Sequence, residues 1–318
     1  MYSFGVIMDP IENINPTEDS TFAIINALQQ KCNIEYIVPD TIHIINQEVF
    51  AKIRRLHTYK RKNKFFTLSK SKLINLSRLN CILFRKDPPV DEKYIHITHM
   101  LDFLELSGVL IINSPQSIRD FNEKLLGNNL TNHNIPTLVS SDRNIIKGFI
   151  KKNKDVVMKP LNLMGGKDIV RLSFKDTELF KKIDNMTMFS KRIIMVQKFL
   201  NQVKKGDTRI LITNGIVHEK VLVRYPPKND FRANLSHGGI FKIKQINPNH
   251  LKHLEDIAVF LKNNRIYFAG VDMIGDYITE INITSPTGIQ QIEQKDRGLS
   301  LKISKEFIKL VDQYYDGK

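Results

Sequence analysis

The opening of the chain fixes the kind of sheet it can build. Phe4 to Met8 is a short apolar run ending at Asp9-Pro10, Ser20 to Gln30 has helical spacing with Asp19 or Ser20 as its cap, and Ile34 to Val38 is a second apolar run. A strand, a helix and a strand in that order make a βαβ unit, whose strands run parallel and gather their functional loops at the carboxyl ends. Thr41 to Ile45 and Val49 to Ile53, either side of Asn46-Gln47, read as a hairpin inserted after it. Cys81 to Phe84 is a further buried strand that leads into Arg85-Lys86-Asp87-Pro88-Pro89. Two strands of one sheet therefore end in charged, proline-fixed loops.

Beyond a proline-marked turn at Asn113-Ser114-Pro115, the stretch Ser117 to Leu126 reads as one capped helix. Strands are expected over Asp155–Pro160, Ile169–Leu172 and Ile193–Leu200, and Gly206–Ile212 with Val217–Arg224 suggest an antiparallel sheet. The segment from Tyr225 to Gly239 is long enough to be a functional lid or a disordered stretch.

A length of 318 residues suits about two domains. With only Cys32 and Cys81, neither a disulfide framework nor a cysteine zinc site is available, so a reducing compartment is expected. The first residues go straight into a strand without a basic leader, and apolar runs such as Val109–Ile112 fall far short of the roughly 20 residues of a membrane span. The expected location is cytoplasmic. Charge is the feature most able to mislead. The net is +15, and Lys52 to Lys86 holds twelve basic residues and no acidic one, with Tyr59, Phe65 and Phe66 interleaved. Such a stretch can serve nucleic acid. The whole chain is rich in lysine, isoleucine and asparagine, however, which favours a general bias and a solvated face.

Asp272, Glu280 and Asn282 sit inside two apolar strand-like runs, Ala269–Ile274 and Tyr277–Ile283. A strand sends residues i and i+2 to one side, so Glu280 and Asn282 project together. Oxygen ligands without Cys or His favour Mg²⁺, the alternative being the wet polar face of a sheet edge. Asp272, alone among apolar neighbours, is costly unless a cation or donor meets it. A two-residue turn at Gly275-Asp276 would pair Asp272 with Thr279 and turn Glu280 away. For the two carboxylates to share a face, the connection must be odd in length or carry a β-bulge. Lys159, at the end of an apolar strand and shortly before Gly165-Gly166, can meet a phosphate that the glycine backbone also approaches; a surface turn is the alternative.

The order of these elements resembles the ATP-grasp ligases. Four blocks look like bacterial glutathione synthetase: Met8-Asp9-Pro10-Ile11; Arg85-Lys86-Asp87-Pro88-Pro89; Asn113-x-Pro115-Gln116-Ser117-x-Arg119-Asp120-x-Asn122-Glu123-Lys124-Leu125; and Thr279-Glu-Ile-Asn-Ile-Thr-Ser-Pro-Thr287. Together they span nearly the whole chain. The resemblance implies an α/β protein with a Rossmann-like parallel-sheet domain at 1–120 and an ATP-grasp fold of two α+β lobes, 121–200 and 201–318, with a mobile loop at 225–241.

It further implies ATP-dependent joining of γ-glutamylcysteine to glycine through an acyl phosphate. Lys124 and Lys159 would hold ATP phosphates under Gly165 and Gly166, Gln197, Lys198, Phe199 and Leu200 would border the adenine, and Asp207 would accept from the ribose. Asp272, Glu280 and Asn282 would hold two Mg²⁺, with Mn²⁺ an alternative, while Arg209 and Arg224 steady the transferred phosphoryl group and the oxyanion. The dipeptide would lie near Asp9, Ser20, Arg85, Arg224, Asn282, Ser285 and Thr287, beneath a lid carrying Arg232, Asn234, Gly238 and Gly239. A homo-oligomer, a tetramer by analogy, is also implied. Another ATP-grasp carboxylate–amine ligase, glutamate-adding or D-alanine-type, is the neighbouring reading. Two departures stand out. The family's Asp-Gly-x-Gly-Gly phosphate loop is Asn162-Leu-Met-Gly-Gly166 here, and Ile240-Phe241 replace the end of a Gly-Gly-x-Gly lid.

Overall fold

A computed structural model of the chain describes residues 1–59, 64–130 and 134–317. Its first sheet has the strand order His43–Ile45, Glu48–Thr58, Asn33–Ile37, Ser3–Met8, Cys81–Arg85, Leu110–Ile112. The last four strands in that order run parallel, and Met8 pairs with Arg85, so their charged loops emerge side by side. Both central strands are buried along nearly their whole length, as expected for a parallel sheet covered on two sides. The inserted hairpin forms as expected, His43–Ile45 against Glu48–Thr58. Asp19, and not Ser20, caps the Ser20–Leu28 helix by accepting from the Phe22 N–H at 2.6 Å.

The second sheet is antiparallel, in the order Val170–Ser173, Asp155–Pro160, Ile194–Lys198, Thr137–Ser140. Alternation divides its faces. Val156, Met158 and Val196 pack under the helices Arg143–Asn153 and Leu179–Thr187, leaving Val157, Lys159 and Gln197 for the other side. The third sheet is antiparallel too: Ile240–Gln245, Lys220–Tyr225, Asp207–Thr213, Phe268–Ile274, Tyr277–Asn282, with Ile216–Val217 added to Asp207–Thr213. Ile210, Ile212 and Val271 fill a core with the helix Pro248–Asn263, whereas Leu211 and Phe268 face the core shared with Ser20–Leu28 and the terminal helix Leu299–Asp316. The chain's two ends are thus packed together, and the Tyr2 hydroxyl donates to Asp312 at 2.7 Å.

One expectation is corrected. Ser117–Leu126 is not a single helix but two, Pro115–Asp120 and Glu123–Asn129. Phe121 and Asn122 are extended, and the Asn122 side chain accepts from the Lys124 N–H at 3.1 Å, starting a new helix there. The break places Glu123 and Lys124 in a first turn that points at the third sheet. The strand expected over Ile193–Leu200 also stops early, at Lys198. Among the described residues, no helix is long and apolar enough to cross a membrane.

Candidate active site

Across the third sheet, Arg209 pairs with Asp272 and Asp272 with Glu280, so three charged side chains line up on one face. The register between Phe268–Ile274 and Tyr277–Asn282 shifts after Asp272, which pairs with Glu280 while Met273 pairs with Ile278. Thr279 is the extra residue, and this bulge returns Glu280 to the face of Asp272 as the sequence required. Arg209 grips Asp272 bidentately, Nε to Oδ1 at 2.5 Å and Nη2 to Oδ2 at 2.7 Å. Arg224 bridges Asp207 at 2.9 Å and Asp272 at 3.0 Å. Burial alone would raise the Asp272 carboxyl, but Arg209 and then Arg224 outweigh it and hold the pKa down at about 2. Asp207 is raised, its burial exceeding what Arg224 returns, and its Oδ1 is buried with no hydrogen-bond partner. Asn282 donates to the Gly270 carbonyl at 3.1 Å and to Asp272 at 3.3 Å, leaving its amide oxygen on offer.

The opposite wall comes from the second sheet. Lys159 donates to Gln197 Oε1 at 2.7 Å, and Gln197 donates in turn to Thr137 Oγ1 at 3.1 Å. Burial lowers the Lys159 pKa, with Glu280 opposing that and Lys124 adding to it. Lys124 reaches the Leu163 carbonyl and Glu280, the latter at 3.3 Å. Between the walls lies a cleft of about 110 Å³, bordered by Gln197, Lys198, Phe199, Leu200, Asp207 and Glu280. The Arg171 guanidinium sits 3.7 Å over the Phe199 ring. Phe231 to Asn234 border the cleft too, next to the glycine turn. Arg232 donates to the Gly166 carbonyl at 3.3 Å and Ser236 to that of Gly165 at 3.4 Å. Gly166 has φ +77°, and a Cβ there would lie 2.6 Å from Asn234 Oδ1. Gly239 is equally tight, since a Cβ would lie 2.6 Å from the Ala233 carbonyl.

The residues expected near a dipeptide gather where Ser3–Met8 and Cys81–Arg85 end, though several are already engaged. Asp9 pairs with Lys86 and accepts from the Asp87 N–H at 3.0 Å. Arg85 donates to Thr21 at 3.1 Å and to the Pro286 carbonyl at 2.8 Å, while its Nη1 is buried without a partner. Burial lowers its pKa to about 10. Burial also raises Asp87, which Ser285 hydrogen-bonds. Thr287 is exposed, and its carbonyl accepts from Arg209 at 3.1 Å. Ser20 is fully buried, and its hydroxyl takes the N–H groups of Gly288 and Ile289 at 3.0 and 3.1 Å. It ties the Ser20–Leu28 helix to the segment after Thr287, and Ser20 is not among the residues that line the cleft.

The donor set fits a magnesium nucleotide: hard oxygens on one wall, two lysines and a glycine turn on the other. Among the described residues no three of His, Cys, Asp or Glu form a metal cluster, and the oxygens beside one another here are those of Asp272, Glu280 and the Asn282 amide. Family comparison agrees. Residues 2–119 match the model of the prokaryotic glutathione synthetase N-terminal domain, and residues 123–297 that of the prokaryotic glutathione synthetase ATP-grasp domain. The chain belongs to the prokaryotic glutathione synthetase family. Glutathione synthetase of Coxiella burnetii is 36% identical, covering 98% of this chain and 96% of that one. That of Buchnera aphidicola subsp. Baizongia pistaciae is 40% identical over 94% and 93%. Among solved structures, D-cycloserine synthetase DcsG superposes with a TM-score of 0.67 at 11% identity, covering 98% of this chain and 99% of that one. D-alanyl-alanine synthetase A from Vibrio cholerae gives 0.62 at 11%, covering 98% of each. These two share the ATP-grasp fold with this glutathione synthetase family member.

Sequence reasoning gives no role to Thr137, Glu123 or Asn113, all of which bear on the site. Asn113 donates to the carbonyls of Phe268 at 2.7 Å and Ile283 at 2.6 Å and accepts from the Phe268 N–H, stitching the ends of the strands that carry Asp272 and Asn282 to the end of Leu110–Ile112. The signal for such residues is a polar side chain in an apolar stretch, which does not say which distant backbone it will meet.

Proposed function

We propose that the chain ligates γ-L-glutamyl-L-cysteine to glycine at the expense of ATP, releasing ADP and phosphate with glutathione. The observation that carries this reading is the Arg209–Asp272–Glu280 row facing Lys159 and Lys124 across one cleft, in a chain of this family. A carboxylate is a poor electrophile, so the dipeptide's cysteinyl carboxylate is first phosphorylated, and glycine's amine then displaces phosphate. Lys159 and Lys124 orient the ATP phosphates, and Gly165 and Gly166 lie over them. Asp272, Glu280 and Asn282 would hold Mg²⁺, two ions in this reading with Mn²⁺ as a substitute, and the metal would supply charge neutralisation for phosphoryl transfer. Arg224 and Arg209, pre-set by Asp207 and Asp272, place positive charge where it develops on the oxyanion. Gln197 to Leu200 border the adenine and Asp207 meets the ribose. Asp9, Arg85, Ser285 and Thr287 recognise the dipeptide's charged ends, with Ser20 supporting Thr287 from behind. Arg232, Asn234, Gly238 and Gly239 shut water out of the acyl phosphate.

The domain division 1–120, 121–200 and 201–318 is supported by one sheet falling in each interval, while the loop expected at 225–241 narrows to 226–239 because Tyr225 pairs with Ile240 and Arg224 with Phe241 in the third sheet. Cytoplasmic placement and a tetrameric assembly rest on family analogy. The nucleic-acid reading gains no support. Arg55 pairs with Glu35 at 3.0 Å, Arg54 bonds the Ser69 carbonyl, Arg85 bonds the Pro286 carbonyl and Lys86 pairs with Asp9. Phe65 packs edge-on to Phe22 and Phe66; residues 60–63 lie outside those described. ADP release measured with each substrate omitted in turn tests the proposal. Release requiring both γ-glutamylcysteine and glycine upholds it, and release with glutamate or D-alanine instead transfers it to the neighbouring ligase class.

A further inference from the structure

Three consecutive residues at the start of Glu123–Asn129 reach the phosphate loop, the backbone that follows Asn282, and Glu280. Asn122 donates to the Leu161 carbonyl at 3.1 Å, just before the phosphate loop. Lys124 touches that loop at Leu163 and the metal face at Glu280. Between them Glu123, buried, accepts with one oxygen from the Ile283 N–H at 2.7 Å, the Thr284 N–H at 2.8 Å and the Thr284 hydroxyl at 2.8 Å. Pairing of Tyr277–Asn282 with its neighbour strand ends at Asn282. The next two N–H groups would therefore be buried without partners unless something else accepted from them.

We propose that Glu123 is a positioning residue for the metal face, acting through Ile283 and Thr284 to set the direction in which Asn282 leaves the sheet. The placement favours this over a purely structural anchor. The bonded backbone begins at the residue after Asn282 and ends at the residue before Ser285, and the carboxylate's own neighbour, Lys124, contacts Glu280. A shift of the helix thus moves the phosphate loop, Glu280 and Asn282 together. Partners that orient a metal ligand typically change metal affinity or activity by about 10- to 100-fold when removed. The inference rests on the reading of Asp272, Glu280 and Asn282 as Mg²⁺ ligands.

The test uses the full chain with Glu123→Gln, Thr284→Val, their double variant and Glu280→Gln, titrated calorimetrically with ADP in the presence and absence of Mg²⁺. Glu123→Gln should lower Mg²⁺-dependent ADP affinity about 10- to 100-fold while metal-free ADP affinity moves less than about twofold. Thr284→Val, which changes no charge, should act in the same direction more weakly, and the double variant should fall short of the product of the two effects. Wild-type Mg²⁺ dependence in Glu123→Gln and Thr284→Val, equal loss with and without metal, or additive effects would overturn the proposal. Should Glu280→Gln keep the wild-type Mg²⁺ dependence, the metal-face reading itself falls and takes this inference with it. A response to Glu280→Gln without one to Glu123→Gln removes only the role of Glu123.

Discussion

Asp272 and Glu280 stand directly opposite each other on adjacent strands because Thr279 is bulged out between them. Without that extra residue the hairpin through Gly275 would turn Glu280 to the helix-packed side of the sheet. Glu280→Gln should consequently lower turnover by more than about 100-fold, beyond the loss usual for an outer partner of a metal ligand, at unchanged melting temperature. Near-normal turnover at ordinary Mg²⁺ would remove Glu280 from the site.

Asp272 also has a structural duty, since Arg209 and Arg224 are both buried against it. Asp272→Asn leaves two guanidinium groups under-compensated and should destabilise the fold by about 3–5 kcal/mol in urea unfolding. The pH dependence has a definite sign. The folded pKa, about 2, lies below the ordinary 3.8, so this contribution is fully present above pH about 3.8 and is lost as pH falls toward 2. The stability gap between wild type and Asp272→Asn should narrow across that window, and a constant gap would show that Asp272 is not the titrating group.

Much of this arrangement is legible in the chain itself. The opening βαβ unit, the inserted hairpin and the need for a bulge before Glu280 follow from apolar periodicity and the two-fold alternation of strands. The break at Phe121-Asn122 does not, because Ser117 to Leu126 has passable helical spacing and only the Asn122 cap, seen in three dimensions, restarts the helix. Ser20 illustrates a different limit. A serine in a matched block reads as a ligand group, yet its hydroxyl is taken by two backbone donors from a segment more than two hundred residues away in sequence. Side-chain-to-backbone bonds over such distances leave no periodic trace.

Lys159 lines the cleft and donates to Gln197, and neither Asp9 nor Arg85 borders that cleft. Lys159→Ala should weaken ATP binding about tenfold or more, the usual scale for a lost charge-assisted contact, and leave dipeptide binding within about twofold. Equal losses for both ligands in calorimetric titrations would point to a folding defect.

Gly166→Ala probes the lid. A methyl group at φ +77° would collide with Asn234 and push the lid from the phosphate loop. Water then reaches the acyl phosphate, so ADP release without glycine should rise relative to glutathione formation. An unchanged ratio would mean that Asn234 does not seal the cleft.

The central claim is that the dipeptide's own carboxylate takes the phosphoryl group. Incubating γ-glutamylcysteine labelled with ¹⁸O in its cysteinyl carboxylate with ATP, Mg²⁺ and glycine tests this directly by mass spectrometry of the released phosphate. Phosphate carrying one ¹⁸O per glutathione formed is the expected result. Unlabelled phosphate alongside normal glutathione formation would contradict the acyl-phosphate route and the roles given to Arg209 and Arg224.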